Sequence, residues 1–319
     1  MIGSACGKVI LLGEHAVVYG APALVVGIHR GATAEASSIA SGAGDVLASE
    51  LVLGNTIRVC AGDDLDVARA FAALLEACDV ASSVRVEVTT DLPAAAGLGC
   101  SAALGVAIVR ALDGWRGIPA RSPGDAARRA MAWESVFHGN PSGIDAAAAA
   151  RGGCLLYQRT ETGVTLREIR LAGPLSLAIG HTGIASSTRA MVEHVAKLRA
   201  RKPELVDRSF EGIRALVSNA RLALEANDMV GLGRLMDLNQ MILSGLMLST
   251  EEIETLCRLA REAGALGAKL TGSGGGGCVV ALANDPEPIL RSWEKAGFRS
   301  FSSSVLPVSA DKAERSEAP

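Results

Sequence analysis

The segment Pro93-Ala-Ala-Ala-Gly-Leu-Gly-Cys-Ser-Ala-Ala103 most limits the folds open to this chain. Before it, Val84, Val86 and Val88 alternate with Arg85, Glu87 and Thr89, the period-two signature of a strand with one buried face. After it, Leu104, Ile108, Ala111 and Leu112 recur at helical spacing. A strand, a small-residue loop and a helix therefore follow one another directly. The first turn of a helix carries N–H groups without intrahelical partners and the positive end of the helix dipole. Glycines let such a backbone approach a ligand closely. An anion, above all a phosphate, suits this arrangement. A tight strand–helix turn with no ligand is the alternative the segment alone leaves open.

A length of 319 residues gives room for two domains. Aromatic residues are only 3% of the chain against 49% hydrophobic, so the core must be built from Leu, Val, Ile and Ala. The 31 basic and 34 acidic residues leave a net charge of −3, without the basic excess of a nucleic-acid binder. Lys197, Arg199, Arg201 and Lys202 end a predicted helix, where cations complement the dipole, and read as a solvated helix end. The seven cysteines show no C-x-x-C spacing, so neither a disulfide framework nor a zinc knuckle is expected. Reduced thiols in the cytoplasm fit best. The uncharged run from Leu92 to Val109 approaches the length of a membrane span, but Pro93 and its glycines make it a poor one. Glu14 and His15 break the first apolar run too early for a signal peptide. A soluble chain with no membrane and no nucleic-acid partner is expected.

The first half mixes strands (8–12, 23–39, 153–158, 164–170) with helices (63–78, 124–137), and 41–44 is loop-like. The second half is mainly helical. A strand at 175–180 precedes helices at 187–199, 204–226, 228–246 and 251–263, the last opened by the capping-box spacing of Ser249-Thr-Glu-Glu252. Strands at 278–282 and 298–308 follow. The boundaries drawn are 1–170 for an N-terminal domain, 171–310 for a C-terminal domain and 311–319 for a disordered tail.

Three further segments carry chemistry. Gly7-Lys-Val-Ile-Leu-Leu-Gly-Glu-His-Ala-Val-Val-Tyr-Gly20 is not a Walker A loop, because its glycine spacing is short and Val9 stands where Ser or Thr should be. Lys8, Glu14 and His15 bracket an apolar strand; a turn in which Glu14 and His15 face solvent is the simpler expectation. In Glu134-Ser-Val-Phe-His-Gly-Asn-Pro-Ser-Gly-Ile-Asp145, two carboxylates flank a Gly/Pro turn. They can converge on one Mg2+ or divide into metal ligand and base, or Asp145 can simply open a helix. Lys269-Leu-Thr-Gly-Ser-Gly-Gly-Gly-Gly-Cys278 matches G-x-G-x-x-G formally, but a predicted helix precedes it and a strand follows, the wrong context for a dinucleotide fold. A tight glycine turn that admits a backbone or a substrate fits better than a linker.

In this order the four segments resemble the motifs of the GHMP kinase superfamily, with GEHAVVYG and HGNPSGID in the wording of its mevalonate kinase branch. The resemblance implies an α+β fold: a mixed α/β N-terminal domain and a ferredoxin-like C-terminal domain with the active site between them. It implies ATP-dependent phosphorylation of the C5 hydroxyl of mevalonate, with Mg2+, in a homodimer. By motif position, Asp145 matches the base and Lys8 the lysine beside it, while Ser101 and Glu134 match the metal ligands. Pro93, Ala95, Ala96, Gly97, Leu98, Gly99, Cys100, Ser101 and Ala102 match the ATP loop. Glu14, His15, Thr188, Gly274 and Gly275 match the substrate side. Two departures stand out. Cys100 replaces the first of two serines, which predicts a thiol sensitive to alkylation and protected by ATP. Ser186 replaces an arginine of many animal relatives, leaving Arg189, Lys8 and His15 as cations for a substrate carboxylate. The other readings are a GHMP-type kinase of phosphomevalonate, a sugar or homoserine, transfer to the other hydroxyl of mevalonate, and a non-catalytic ATP-binding regulator.

Overall fold

The computed structural model describes residues 1–39, 48–54, 57–93, 96–138, 141–160 and 163–307. The expected loop at 41–44, the expected tail from 311 and Ala95 of the expected ATP loop lie outside them. The chain divides into two compact units that it enters more than once: Met1–Lys8, His29–Ala94 and Gly99–Gly152 form one, and Val9–Ile28, Ala95–Leu98 and Gly153–Pro319 the other.

The first unit takes the N-terminal part of β1 (Ile2–Leu12) and the C-terminal part of β2 (Ala23–Ser38), with β3 (Glu50–Leu53), β4 (Ile57–Cys60) and β5 (Val84–Thr90). Its strands pair in the order β4-β3-β5-β2. β5 runs parallel to β3, Val86 opposite Leu51, and antiparallel to β2, Val88 opposite Ala34. Val84, Val86 and Val88 are buried as their alternation requires, together with Ala32, Ala34 and Ala36. Four helices belong here: α1 (Asp66–Ala77), α2 (Cys100–Trp115), α3 (Pro123–His138) and α4 (Ile144–Arg151). Small residues let them close in. A Cβ on Gly3 of β1 would lie 2.4 Å from the Ala107 carbonyl oxygen of α2. Buried Arg129 of α3 is held by Asp113 of α2, with Nη1 2.8 Å from Oδ1.

The second unit holds β6 (Cys154–Thr160) and β7 (Gly163–Glu168), β6 pairing with Ala23–Val26 of β2. It also holds a four-stranded antiparallel sheet of β8 (Leu175–His181), β9 (Gly267–Thr271), β10 (Cys278–Leu282) and β11 (Arg299–Val305), in the order β11-β8-β10-β9. α5 (Thr188–Arg201), α6 (Pro203–Glu225), α7 (Met229–Gly245) and α8 (Glu251–Glu262) connect β8 to β9, and α9 (Glu287–Lys295) connects β10 to β11. This is the split β-α-β order of a ferredoxin-like sheet, as the resemblance implied.

Several expectations change. β3, β4, β9 and α9 were not foreseen, and β1 starts six residues before Lys8, at Ile2. A strand, β9, precedes the glycine run instead of a helix, so Gly272–Gly277 closes an antiparallel hairpin with Thr271 opposite Cys278. Lys269, Leu270 and Thr271 are all buried, and a strand with no solvent-facing side lacks the usual apolar–polar alternation that would reveal it. The cap of α8 is Thr250, which accepts from the Ile253 N–H, while Ser249 Oγ accepts from Gln240. Arg199 is not merely solvated: it pairs with Asp207 at 2.7 Å and lies 4.8 Å above the Tyr19 ring.

α7 and β9 approach backbone to backbone. A Cβ on Gly233 would lie 2.2 Å from the Leu266 carbonyl oxygen. Gly233→Ala is expected to lose about 1–3 kcal/mol net, because overpacking here outweighs the better helix propensity of alanine. Urea denaturation measures the loss, and an unchanged midpoint would contradict it.

Candidate active site

In the first unit, four chemistry-bearing side chains from four elements meet. Lys8 in the middle of β1 is almost fully buried, at 5% side-chain exposure, and its Nζ lies 3.2 Å from Asp145 Oδ1. Asp145 sits in the first turn of α4 with 36% of its side chain exposed, so this carboxylate is both held and reachable. Ser101 in the first turn of α2 donates its hydroxyl to Glu134 Oε1 at 2.5 Å, and the Trp133 indole donates to Ser101 Oγ at 3.1 Å. Burial pushes the Glu134 carboxyl above its ordinary range and the Asp145 charge adds to this; the Ser101 hydroxyl, His138 and Lys8 act against it.

The loop before α2 turns on two glycines. Gly97 and Gly99 have φ of 78° and 73°, in the left-handed region that favours glycine. Gly99 caps α2 without any side-chain hydrogen bond to the helix N-terminus. A Cβ on Gly99 would come within 3.0 Å of Lys8 Cγ, so glycine there lets the loop lie against the lysine stem. Cys100 is half-buried. Its Sγ is 3.9 Å from Thr90 Oγ1, and burial pushes its thiol up, which disfavours the reactive thiolate and works against the expected alkylation.

Ser101 and Glu134 offer hard oxygen donors from adjacent helices. Among the described residues no group of three or more His, Cys, Asp or Glu could hold a metal ion. Two such oxygens are the donor set that Mg2+ takes from a protein when water and phosphate oxygens complete its shell.

The second unit contains the other predicted residues. The expectation that Glu14 and His15 face solvent is overturned: both are buried. Lys269 Nζ of β9 donates to Glu14 Oε1, and Asn239 Nδ2 of α7 to Oε2 at 3.1 Å. Burial pushes the Glu14 carboxyl up, and Lys269 and Asn239 pull it back. His15 has φ of 58°, uncommon for a non-glycine residue, and its Nε2 meets the Ser273 carbonyl oxygen at 2.8 Å. Burial pushes its imidazole down, so it is uncharged at neutral pH. That removes His15 from the cations available to a carboxylate. Arg189 is 90% exposed and pairs with Glu193. Thr188 is exposed and opens α5, two residues after Ser186, whose hydroxyl donates to the Gly274 carbonyl.

The glycine hairpin packs against backbone. A Cβ on Gly274 would lie 2.4 Å from the Leu248 carbonyl oxygen, and one on Gly275 2.6 Å from Met191 Sδ. A Cβ on Gly277 would lie 3.1 Å from the Ala96 carbonyl oxygen and one on Gly272 3.4 Å from the Gly97 Cα, so this part of the loop before α2 rests on the hairpin. Trp133, Asn239 and Lys269 were assigned no role from sequence. Lys269 had one usable signal, a lysine inside an apolar run at the edge of the glycine segment. Asn239 had none.

The family models for the GHMP kinase N-terminal domain and for the GHMP kinase C-terminal region match residues 66–153 and 220–299. The mevalonate kinase of Methanothermobacter thermautotrophicus is 36% identical over 87% of the chain and 88% of its own length. This chain belongs to the GHMP kinases. A second relative of this GHMP kinase, the mevalonate kinase of Aeropyrum pernix, is also 36% identical, over 96% of each chain. The crystal structure of L. major mevalonate kinase in complex with R-mevalonate superposes with a TM-score of 0.85 at 30% identity, covering 97% of each chain. As a GHMP kinase the protein is an ATP-using small-molecule kinase. Among its described residues no helix is long and apolar enough to cross a membrane.

Removing Lys269 strands a buried carboxylate. Lys269→Met is expected to cost about 3–5 kcal/mol near pH 7. Glu14 is then raised further in the folded state, which favours its protonated form there. The penalty therefore shrinks as pH falls from neutrality toward about 4.3, the unfolded glutamate value, and is level below it. Denaturation of both proteins at two pH values measures this, and a pH-independent penalty would count against a charged Glu14.

Proposed function

We propose that this chain transfers the γ-phosphoryl group of ATP to the C5 hydroxyl of mevalonate, giving 5-phosphomevalonate and ADP. The observation that carries the reading is the Lys8–Asp145 pair beside the Ser101–Glu134 hydrogen bond. It stands in a chain whose similarity to mevalonate kinases runs over most of its length. Phosphoryl transfer needs positioning and charge stabilisation more than covalent chemistry. Asp145, held by Lys8 yet reachable, orients the acceptor hydroxyl and takes its proton. Lys8 stabilises negative charge as it develops. Backbone N–H groups of the loop from Pro93 to Ala102 cradle the phosphates.

Ser101 and Glu134 hold Mg2+, which when bound neutralises phosphate charge. On the substrate side we assign His15, Thr188, Gly274 and Gly275, with Glu14 acting behind His15 because Lys269 and Asn239 occupy its two oxygens. An uncharged His15 leaves Lys8 and Arg189 for the acceptor carboxylate. A domain boundary near residue 170, a homodimer and a cytoplasmic location complete the reading; they rest on the family resemblance, and sedimentation tests the dimer.

A coupled ADP-release assay with mevalonate, phosphomevalonate, galactose and homoserine tests the acceptor, and phosphorus NMR identifies the product. Mevalonate alone is expected to turn over. Preference for another acceptor would overturn the substrate assignment, and no turnover despite ATP binding would favour a regulator. Asp145→Asn is expected to lower turnover by roughly 10²–10⁴; near-normal turnover would remove Asp145 from its role. Chelation of divalent cations is expected to abolish activity and added Mg2+ to restore it.

A further inference from the structure

Trp133 lies one residue before Glu134 on α3 and is 1% exposed. Its indole N–H donates to Ser101 Oγ at 3.1 Å. The ring is confined on two sides. Gly105 of α2 approaches so closely that a Cβ there would lie 3.2 Å from the indole, and the Phe137 ring is tilted against it at 5.4 Å.

A serine hydroxyl has one proton and two lone pairs and ordinarily turns to suit its surroundings, whereas an indole N–H only donates. Ser101 must therefore accept at Trp133, and its proton is directed to Glu134 Oε1. These two bonds use the proton and one lone pair, and leave the second lone pair for a third partner.

We propose that Trp133 is a positioning residue for phosphoryl transfer: its indole N–H fixes the Ser101 hydroxyl, and so strengthens the hold of Ser101 and Glu134 on the divalent cation that accompanies the nucleotide. The proposal rests on the reading of Ser101 and Glu134 as the ligands of that cation. It does not depend on which alcohol is phosphorylated.

Calorimetric titration of the full chain with ADP, with and without Mg2+, gives the factor by which Mg2+ strengthens nucleotide binding. Trp133→Phe keeps a ring and loses the donor. It is expected to lower that factor about two- to tenfold, the range of one lost hydrogen bond, while metal-free ADP binds as before. In a Ser101→Ala background the same substitution is expected to change nothing further, because its target is gone. 3-Benzothienylalanine in place of Trp133 keeps the ring shape and removes only the N–H, and should reproduce the effect if the phenylalanine variant does not fold. An equal loss in both backgrounds would reduce Trp133 to packing. No loss at all, or a wild-type chain whose ADP affinity ignores Mg2+, would overturn the proposal. Failure of mevalonate turnover with the coupling intact would overturn the acceptor assignment alone.

Discussion

A charge taken out of water must be met by another group held at bonding distance, and this protein is organised around three such meetings. Lys8 reaches Asp145, Glu14 reaches Lys269 and Asn239, and Arg129 reaches Asp113. An isolated ion in a low-dielectric interior costs several kcal/mol even after relaxation, so each pair constrains the backbones that carry it. The pairs tie together segments far apart in the sequence. Lys8 and Asp145 join the first strand to a helix beyond the Gly/Pro turn, while Glu14 and Lys269 join the first motif to the last. The Arg129–Asp113 pair braces α3 against α2, the helices that carry Glu134 and Ser101.

Small residues supply the second constraint. With few aromatic side chains to fill the core, backbones approach one another directly, and the positions of closest approach are glycines. Gly3 meets α2, Gly233 meets Gly267, and Gly99 lies against the stem of Lys8. The same property that shapes the loop before α2 therefore packs the elements around it. A Cβ at Gly99 would press on the stem of the lysine that pairs with Asp145. At Gly274 and Gly275 the close neighbours are protein atoms, Leu248 and Met191, so those glycines answer to packing whatever else they contact.

The residues themselves made much of this readable. Alternation revealed β5 and helical spacing revealed α1 and α2. The run of small residues after β5 marked the loop that leads into α2. Elements with weak patterns went unread. β3 and β4 are short, and β9 is buried on both faces. α9 begins between Pro286 and Pro288, residues that open a helix as readily as they mark a turn. Glu14 and His15 were misread for a different reason. A carboxylate beside a histidine after a glycine looks like a surface turn until its partners, more than 200 residues later, are known.

The linear chain thus established which chemical groups are present and the local geometry that presents some of them: a strand–loop–helix with a glycine-rich N-terminus, a carboxylate on either side of a segment rich in Gly and Pro, and a lysine on an apolar strand. Those properties depend on near neighbours and on periodicity, which a linear chain records. Tertiary structure alone decided which groups became partners, and hence their charge states. His15 is uncharged because it is buried against the Ser273 carbonyl, Glu134 is pushed up by burial beside Asp145, and the Ser101 hydroxyl is aimed by an indole from another helix. Desolvation and hydrogen-bond direction depend on distances between residues remote in sequence, and only folding sets those distances.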